Sequence, residues 1–260
     1  MGGRVRTETE GQLGWLILDH PERRNAISTE MWRAIPQAAR ALDENPDVRV
    51  VIMRGAGDVA FVSGADISEF AASRSGVNVE EYDQDNARAF LSLLTLTKPL
   101  IAHIHGFCVG GGCALALAAD LRYAADDAVF AIPAARLGLG YSARGLEMLV
   151  HVVGLAAAKE IFFTARRFTA AEALRMRLVN QVLPKADLDA FVRKTAEEIA
   201  SNAPLTVRSA KLILDELVKE PASRDHEAMA RSIRACYESA DYTEGVCAFL
   251  EKRRPVFTGR

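Results

Sequence analysis

Three glycines in a row, Gly110, Gly111 and Gly112, stand in the stretch GFCVGGGCALALAAD at 106–120. An apolar run leads into them and an alanine- and leucine-rich run leads out. Glycines at such a junction let backbone N–H groups of a first helical turn approach a ligand. Phosphate is a poor match for that ligand. No GxxxxGK[ST] occurs, and a dinucleotide fingerprint begun at Gly110 fails at Leu115. The segment GLGYSA at 138–143 has the right glycine spacing but no strand before it, so it reads as a loop. An oxyanion hole remains, in which N–H groups stabilise an ester or thioester oxygen that becomes negative. A second glycine-rich loop, GAGDVAFVSGADISEF at 55–70, offers a separate source of donors.

The other candidate groups are few. Arg23 and Arg24 lie in HPERRNAIS, and Lys252, Arg253 and Arg254 lie in FLEKRRPVF. Each run reads as a solvated charge cluster or as a patch for phosphate groups. His103 and His105 alternate on one strand and share a face, which suits packed, hydrogen-bonded histidines better than metal ligands. No GxSxG, HExxH or CxxC occurs, and no metal site is expected. Glu69, Glu147 and His105 are the weaker candidates for proton transfer, and Tyr141 lies in the loop after the glycines.

The elements that position these groups alternate first and turn helical later, which makes an α/β chain. Strands are expected at 14–19, 48–55 and 99–106, with a helix at about 111–119 and two short strands in LRYAADDAVFAIP. The segment 28–44 reads as a helix capped by Ser28, with Pro36 predicting a kink or a later start. Asp66 and Glu69 predict a capping box for a short helix. A helix is expected in the later part of 77–97. After about 143 come helices in 144–154, 155–165, 169–177, 188–202, 204–219, 224–238 and 241–252, with short strands in RFT and LVNQVLP.

The chain has 260 residues and a net charge of −2, which argues against general nucleic-acid binding. No long apolar segment predicts a membrane span, and the first dozen residues lack the apolar core of a secretory signal. The four cysteines read as free thiols in a reducing cytoplasm.

Five segments in order, HPERRNAIS, GAGDVAFVSGADISEF, KPLIAHIHGFCVGGGCALALAADLRYAADDAVFAIP, RRFTAAEALRMRLVNQVLP and EGVCAFLEKRRPVF, resemble the crotonase superfamily, the enoyl-CoA hydratase/isomerase group. The resemblance runs over about 13–257. It implies a crotonase-like spiral of ββα units at 1–200 with the acyl-CoA site, and a helical C-terminal trimerisation region at 201–260. Homotrimers, or hexamers as dimers of trimers, and acyl-CoA substrates follow from it, with coenzyme A as part of the substrate and no other cofactor. The oxyanion hole would be the N–H groups of Ala65 and Gly111. Arg24, Ala26, Asp66 and Ile67 would line the CoA arm, and Phe249 and Lys252 would reach a neighbouring subunit's CoA.

The departures from the family pattern narrow the chemistry. Family members that add water to a 2-enoyl-CoA use two glutamates, and those positions fall on Ala114 and Ala134. Methyl groups transfer no protons. The aspartate of dienoyl-CoA isomerases falls on Ser142. The C-terminal third resembles methylmalonyl-CoA decarboxylases, which also carry a tyrosine at Tyr141 but a histidine where this chain has Ala65. Three expectations follow: decarboxylation of a malonyl-type thioester, in which loss of carbon dioxide itself makes the enolate; isomerisation or hydration with another acid/base; and a non-catalytic acyl-CoA binder.

Overall fold

The computed structural model describes residues 2–66 and 78–260. Strand β1 (Arg4–Glu10) pairs antiparallel with β2 (Leu13–Asp19), and helix α1 (Thr29–Glu44) follows. Next come β3 (Val50–Gly55), β4 (Ala60–Val62) and α2 (Asn78–Leu94). The glycine-rich region gives β5 (Leu100–Ile104), β6 (Phe107–Val109) and α3 (Gly111–Leu117). Then come β7 (Leu121–Ala125), β8 (Val129–Ala131), α4 (Ala134–Leu137) and α5 (Ala143–Thr164). The chain continues with β9 (Phe168–Thr169), α6 (Ala170–Arg175), β10 (Gln181–Leu183) and α7 (Lys185–Ala200). Helices α8 (Pro204–Leu217), α9 (His226–Tyr237) and α10 (Ala240–Glu251) end it.

One sheet has the order β1-β2-β3-β5-β7-β10, parallel except for the β1 hairpin. The other has the order β4-β6-β8-β9. Consecutive strands therefore alternate between sheets, β3 to β4, β5 to β6 and β7 to β8, with a helix closing each turn. That is the expected spiral of ββα units. The first turn joins it through a single parallel bridge between Ile27 and Ala65.

Strand parity sorts the core. In β2, Leu16 and Leu18 pack with Met31, Trp32 and Ile35 of α1, while Leu13, Trp15 and Ile17 pack with Leu188, Val192 and Ala196 of α7. Both faces are covered, so β2 is apolar throughout. In β5, Ile101 belongs to the α7 side. His103 has the same parity, and its ring lies 3.7 Å from the Asp189 carboxylate of α7.

One expectation changes. Helix α1 starts at its Ser28 cap and runs through Pro36, so the later start is overturned. Proline removes one i→i−4 bond, and burial of Met31, Trp32, Ile35, Ala39 and Leu42 along one face holds the helix across it. The helices expected at 144–154 and 155–165 are both present, as the two arms of α5, parted by the non-helical Gly154 (φ 77°, ψ 164°). Strand β1 gives no apolar signal because it is an edge strand with only partly buried side chains. The capping box of Asp66 and Glu69 falls largely outside the described residues.

Candidate active site

Three adjacent parallel strands, β4, β6 and β8, end along one edge of the second sheet. Loops at such carboxyl ends are where open parallel sheets place ligands. Gly110, just past β6, has φ 54° and ψ −112°, a conformation open to glycine alone. Its N–H donates to the Ala131 carbonyl at the end of β8, 2.8 Å away. A Cβ on Gly112 would stand 2.3 Å from the Val62 carbonyl of β4, so α3 begins hard against that strand. The Cys113 thiol donates to the Cys108 carbonyl at 2.9 Å and fixes the first turn of α3 to β6.

This packing aims two N–H groups at one place. Ile27 N donates to Gly64 O at 2.8 Å, and Asp66 N donates to Ile27 O at 2.9 Å. In a parallel bridge of this kind, the residue between the two bonded peptides turns its own N–H to the other side. Ala65 therefore presents its N–H toward α3, and its nitrogen is 3.7 Å from the Cβ position of Gly111. The Gly111 N–H belongs to the first turn of α3, where no intrahelical acceptor exists. Among the described residues neither N–H donates to a carbonyl or a side chain. Two convergent donors without partners are what a developing oxyanion requires.

The basic loop lies beside them. Asn25 is buried in the left-handed region, φ 54°. Its amide donates to the carbonyls of Ala56 and Ala60 and accepts from His20 N. His20 Nδ1 donates to the Ala26 carbonyl at 2.9 Å. Ser63 N donates to the Arg24 carbonyl at 3.1 Å, which ties the loop to the end of β4. The exposed Arg24 guanidinium lies 4.9 Å from the centre of the Phe107 ring. Arg23 reaches the buried Asp66 carboxylate at 3.6 Å. The structure thus brings Arg24, Ala26 and Asp66 next to Ala65. Ile67 lies outside the described residues.

The remaining candidates are spread out. Ala134 is buried at the start of α4, three residues past β8, and Ala114 is half-buried one turn into α3. Tyr141 is half-buried, its ring edge-on to Phe162 with centroids 4.9 Å apart. Ser142 caps α5 by accepting from Gly145 N, and Glu147 is exposed on the same helix. Phe249 and Lys252 are exposed at the end of α10. That helical module docks where Lys211 meets Asp120 and the Lys98 carbonyl, past the far end of α3 from Gly111.

His105 sits at the opposite end of β6. Its carbonyl accepts from Phe61 N at the start of β4. Burial, followed by Arg54 and Lys185, pushes its imidazole down to about 4. His103 is likewise pushed down to about 4 by burial, His105 and Arg54. Both are packed as expected, but the expected hydrogen bonds are missing. Both ring nitrogens of His103 and Nε2 of His105 have no hydrogen-bond partner among the described residues. Among those residues, no group of three or more His, Cys, Asp and Glu side chains could hold a metal ion, and no helix is long and apolar enough to cross a membrane.

Three contributors escape sequence reasoning: Asn25, Cys113 and Trp32. Each acts through a contact made across the fold, and each residue type is ordinary in its local segment. Only Asn25, a polar letter between Arg24 and the apolar run, carries a local hint.

Comparisons with known proteins bear on the family and the fold. The family model for enoyl-CoA hydratase/isomerase matches residues 8–260. A crotonyl-CoA hydratase from Syntrophomonas wolfei is 34% identical over 97% of this chain and 97% of its own. A peroxisomal Δ(3,5)-Δ(2,4)-dienoyl-CoA isomerase from Arabidopsis thaliana is 34% identical over 97% of this chain and 95% of its own. Among solved structures, an enoyl-CoA hydratase/carnithine racemase from Magnetospirillum magneticum superposes with TM-score 0.94 at 35% identity, covering 98% of this chain and 96% of that one.

Proposed function

Because the chain belongs to the enoyl-CoA hydratase/isomerase family, we propose that it is an acyl-CoA enzyme that works by stabilising an enolate, and that its reaction is decarboxylation of a malonyl-type thioester. One observation carries this reading: among the described residues the N–H groups of Ala65 and Gly111 converge without partners, and the positions where the resemblance puts the family's paired glutamates are Ala114 and Ala134. The thioester oxygen would lie between the two donors. The carbon–carbon bond to the carboxylate breaks, carbon dioxide leaves, and the electron pair becomes the enolate that the donors stabilise. No base is needed to start. A proton then returns to the α-carbon from water or from the Tyr141 hydroxyl. Coenzyme A enters as part of the substrate.

Arg24, Ala26, Asp66 and Ile67 would hold the CoA arm. Phe249 and Lys252 would act at the site of a second copy, because in their own chain they stand on the module docked past the far end of α3. The exposed apolar side chains of Ile233, Tyr237, Phe249 and Leu250, around a groove of about 730 Å³, support association into trimers or hexamers. The test of the reaction is incubation with methylmalonyl-, ethylmalonyl- and malonyl-CoA, with carbon dioxide and the shortened thioester followed together. Turnover of at least one is expected; no turnover of any of them overturns this reading.

The names of the relatives favour a second reading, hydration or isomerisation of an enoyl-CoA. It needs an acid/base from elsewhere, with Glu147 the candidate on α5. Hydration of crotonyl-CoA that collapses in Glu147→Gln would replace the first reading with this one.

A further inference from the structure

We propose that Trp32 is a specificity residue of this site: its indole N–H recognises an oxygen atom carried on the acyl group, beyond the thioester oxygen itself. The inference rests on the acyl-CoA reading above. Trp32 belongs to the first turn of α1, and its backbone N–H donates to the Ser28 carbonyl at 3.0 Å. The side chain is 1% exposed. Phe90 of α2 fixes the ring from one side, with centroids 5.5 Å apart and planes at 57°. On the other side, Cζ2 stands 3.2 Å and Cη2 3.6 Å from the Cβ position of Gly111, the same point that has Ala65 N at 3.7 Å. Cζ2 is bonded to the ring carbon that also bears Nε1, so the N–H is two bonds from the indole atom nearest Gly111.

That N–H is buried and has no acceptor among the described residues. A buried donor left unpaired is costly, and a phenylalanine would supply apolar packing there without the cost. Buried indoles ordinarily find a partner. Here the orphan lies beside two other unpaired N–H groups at the carboxyl edge of the second sheet. The acceptor is therefore supplied by the ligand. The Ala65 and Gly111 donors take the thioester oxygen, and Trp32 takes a carboxylate, keto or hydroxyl oxygen further along the acyl group. A neutral donor can orient such a group without bringing a base to the α-carbon.

The test compares acetoacetyl-CoA with butyryl-CoA, four-carbon acyl groups that differ in one keto oxygen. Trp32→Phe keeps an aromatic ring and removes the N–H. Calorimetric titration should show acetoacetyl-CoA binding weakened about fivefold, the factor for one hydrogen bond of about 1 kcal/mol, with butyryl-CoA changed less than about twofold. The intact indole gives a second measurement that survives a folding defect in the variant. In a Trp15→Phe background, Trp32 emission should shift to longer wavelength with acetoacetyl-CoA and not with butyryl-CoA. Equal weakening of both thioesters, or no emission shift with either, makes Trp32 a packing residue and overturns the proposal. If neither thioester binds the unmodified protein, the acyl-CoA reading itself falls, and that result appears before any variant is made.

Discussion

The two ends of β6 hold opposite kinds of chemistry. At the carboxyl end, the Ala65 and Gly111 N–H groups converge without partners among the described residues, and positions 114 and 134 carry only methyl groups. At the other end, His103 and His105 bring two titratable rings together, 5.7 Å apart, but bury them against α7. Among the described residues, the first end has unpaired backbone donors, and the nearest carboxylate, Asp66, is held by Arg23. The second has bases and, at 6% and 3% exposure, no room for a substrate. A titratable side chain is therefore a poor guide to the site in this chain, and unpaired backbone is a better one. Backbone donors need no protonation state to be ready, which suits a reaction that makes its own enolate.

Three changes would break or sharpen this contrast. Gly111→Pro should have the largest effect. Gly111 is the first helical residue of α3, a position that accepts proline's φ; the substitution removes a donor that has no intrahelical partner and sets a Cβ 3.2 Å from Trp32 Cζ2. The loss in kcat/KM should be about 10²–10³-fold with the circular dichroism spectrum kept. Activity near that of the unmodified protein would separate Gly111 from the chemistry.

Acid titration probes the other end. Both imidazoles are held at about 4 when folded, against about 6.5 when free. The folded chain thus binds fewer protons than the unfolded chain between those values. Stability is full above pH 6.5 and falls as pH drops through the window toward 4, by up to roughly 3 kcal/mol for each ring. Arg54 and Lys185 add to the penalty, while Asp189, Asp127 and Asp58 oppose it. Urea unfolding at stepped pH should show a weaker acid dependence in the His103→Leu, His105→Leu double variant, with activity at neutral pH little changed. A steep activity loss at neutral pH would move the histidines into the mechanism.

The smallest effect belongs to the cap beside Tyr141. Ser142→Ala removes the acceptor for Gly145 N and should cost about 1 kcal/mol in thermal unfolding, with kcat changed little. A large drop in kcat would instead give Ser142 a part in the reaction.

Much of the fold is legible in the order of the residues. The β-branched run at β3, the apolar run at β5 and the glycine junction after β6 mark strands and the helix start, because one-dimensional periodicity reports burial directly. Strand β1 and the short strands β4 and β6 are not legible, since three to seven residues at an edge or in a glycine-rich loop carry little period. The pairing of Ala65 with Gly111 is reachable only through resemblance. Trp32 looks like an ordinary core residue of an amphipathic helix.

By itself, then, the sequence determines which groups are present: three glycines where donors can be freed, alanines where carboxylates would stand, and two histidines of one parity, His103 on β5 and His105 just past its end. Strand parity even assigns those histidines to the face that carries Ile101. The tertiary structure alone decides which groups meet. The Ile27 bridge turns the Ala65 N–H toward α3, Val62 and Ala131 fix the glycines against two strands, and the packing of α1 sets the Trp32 edge beside them. The direction of a backbone N–H depends on which neighbour its adjoining peptides bond, and that neighbour lies tens of residues away in the chain.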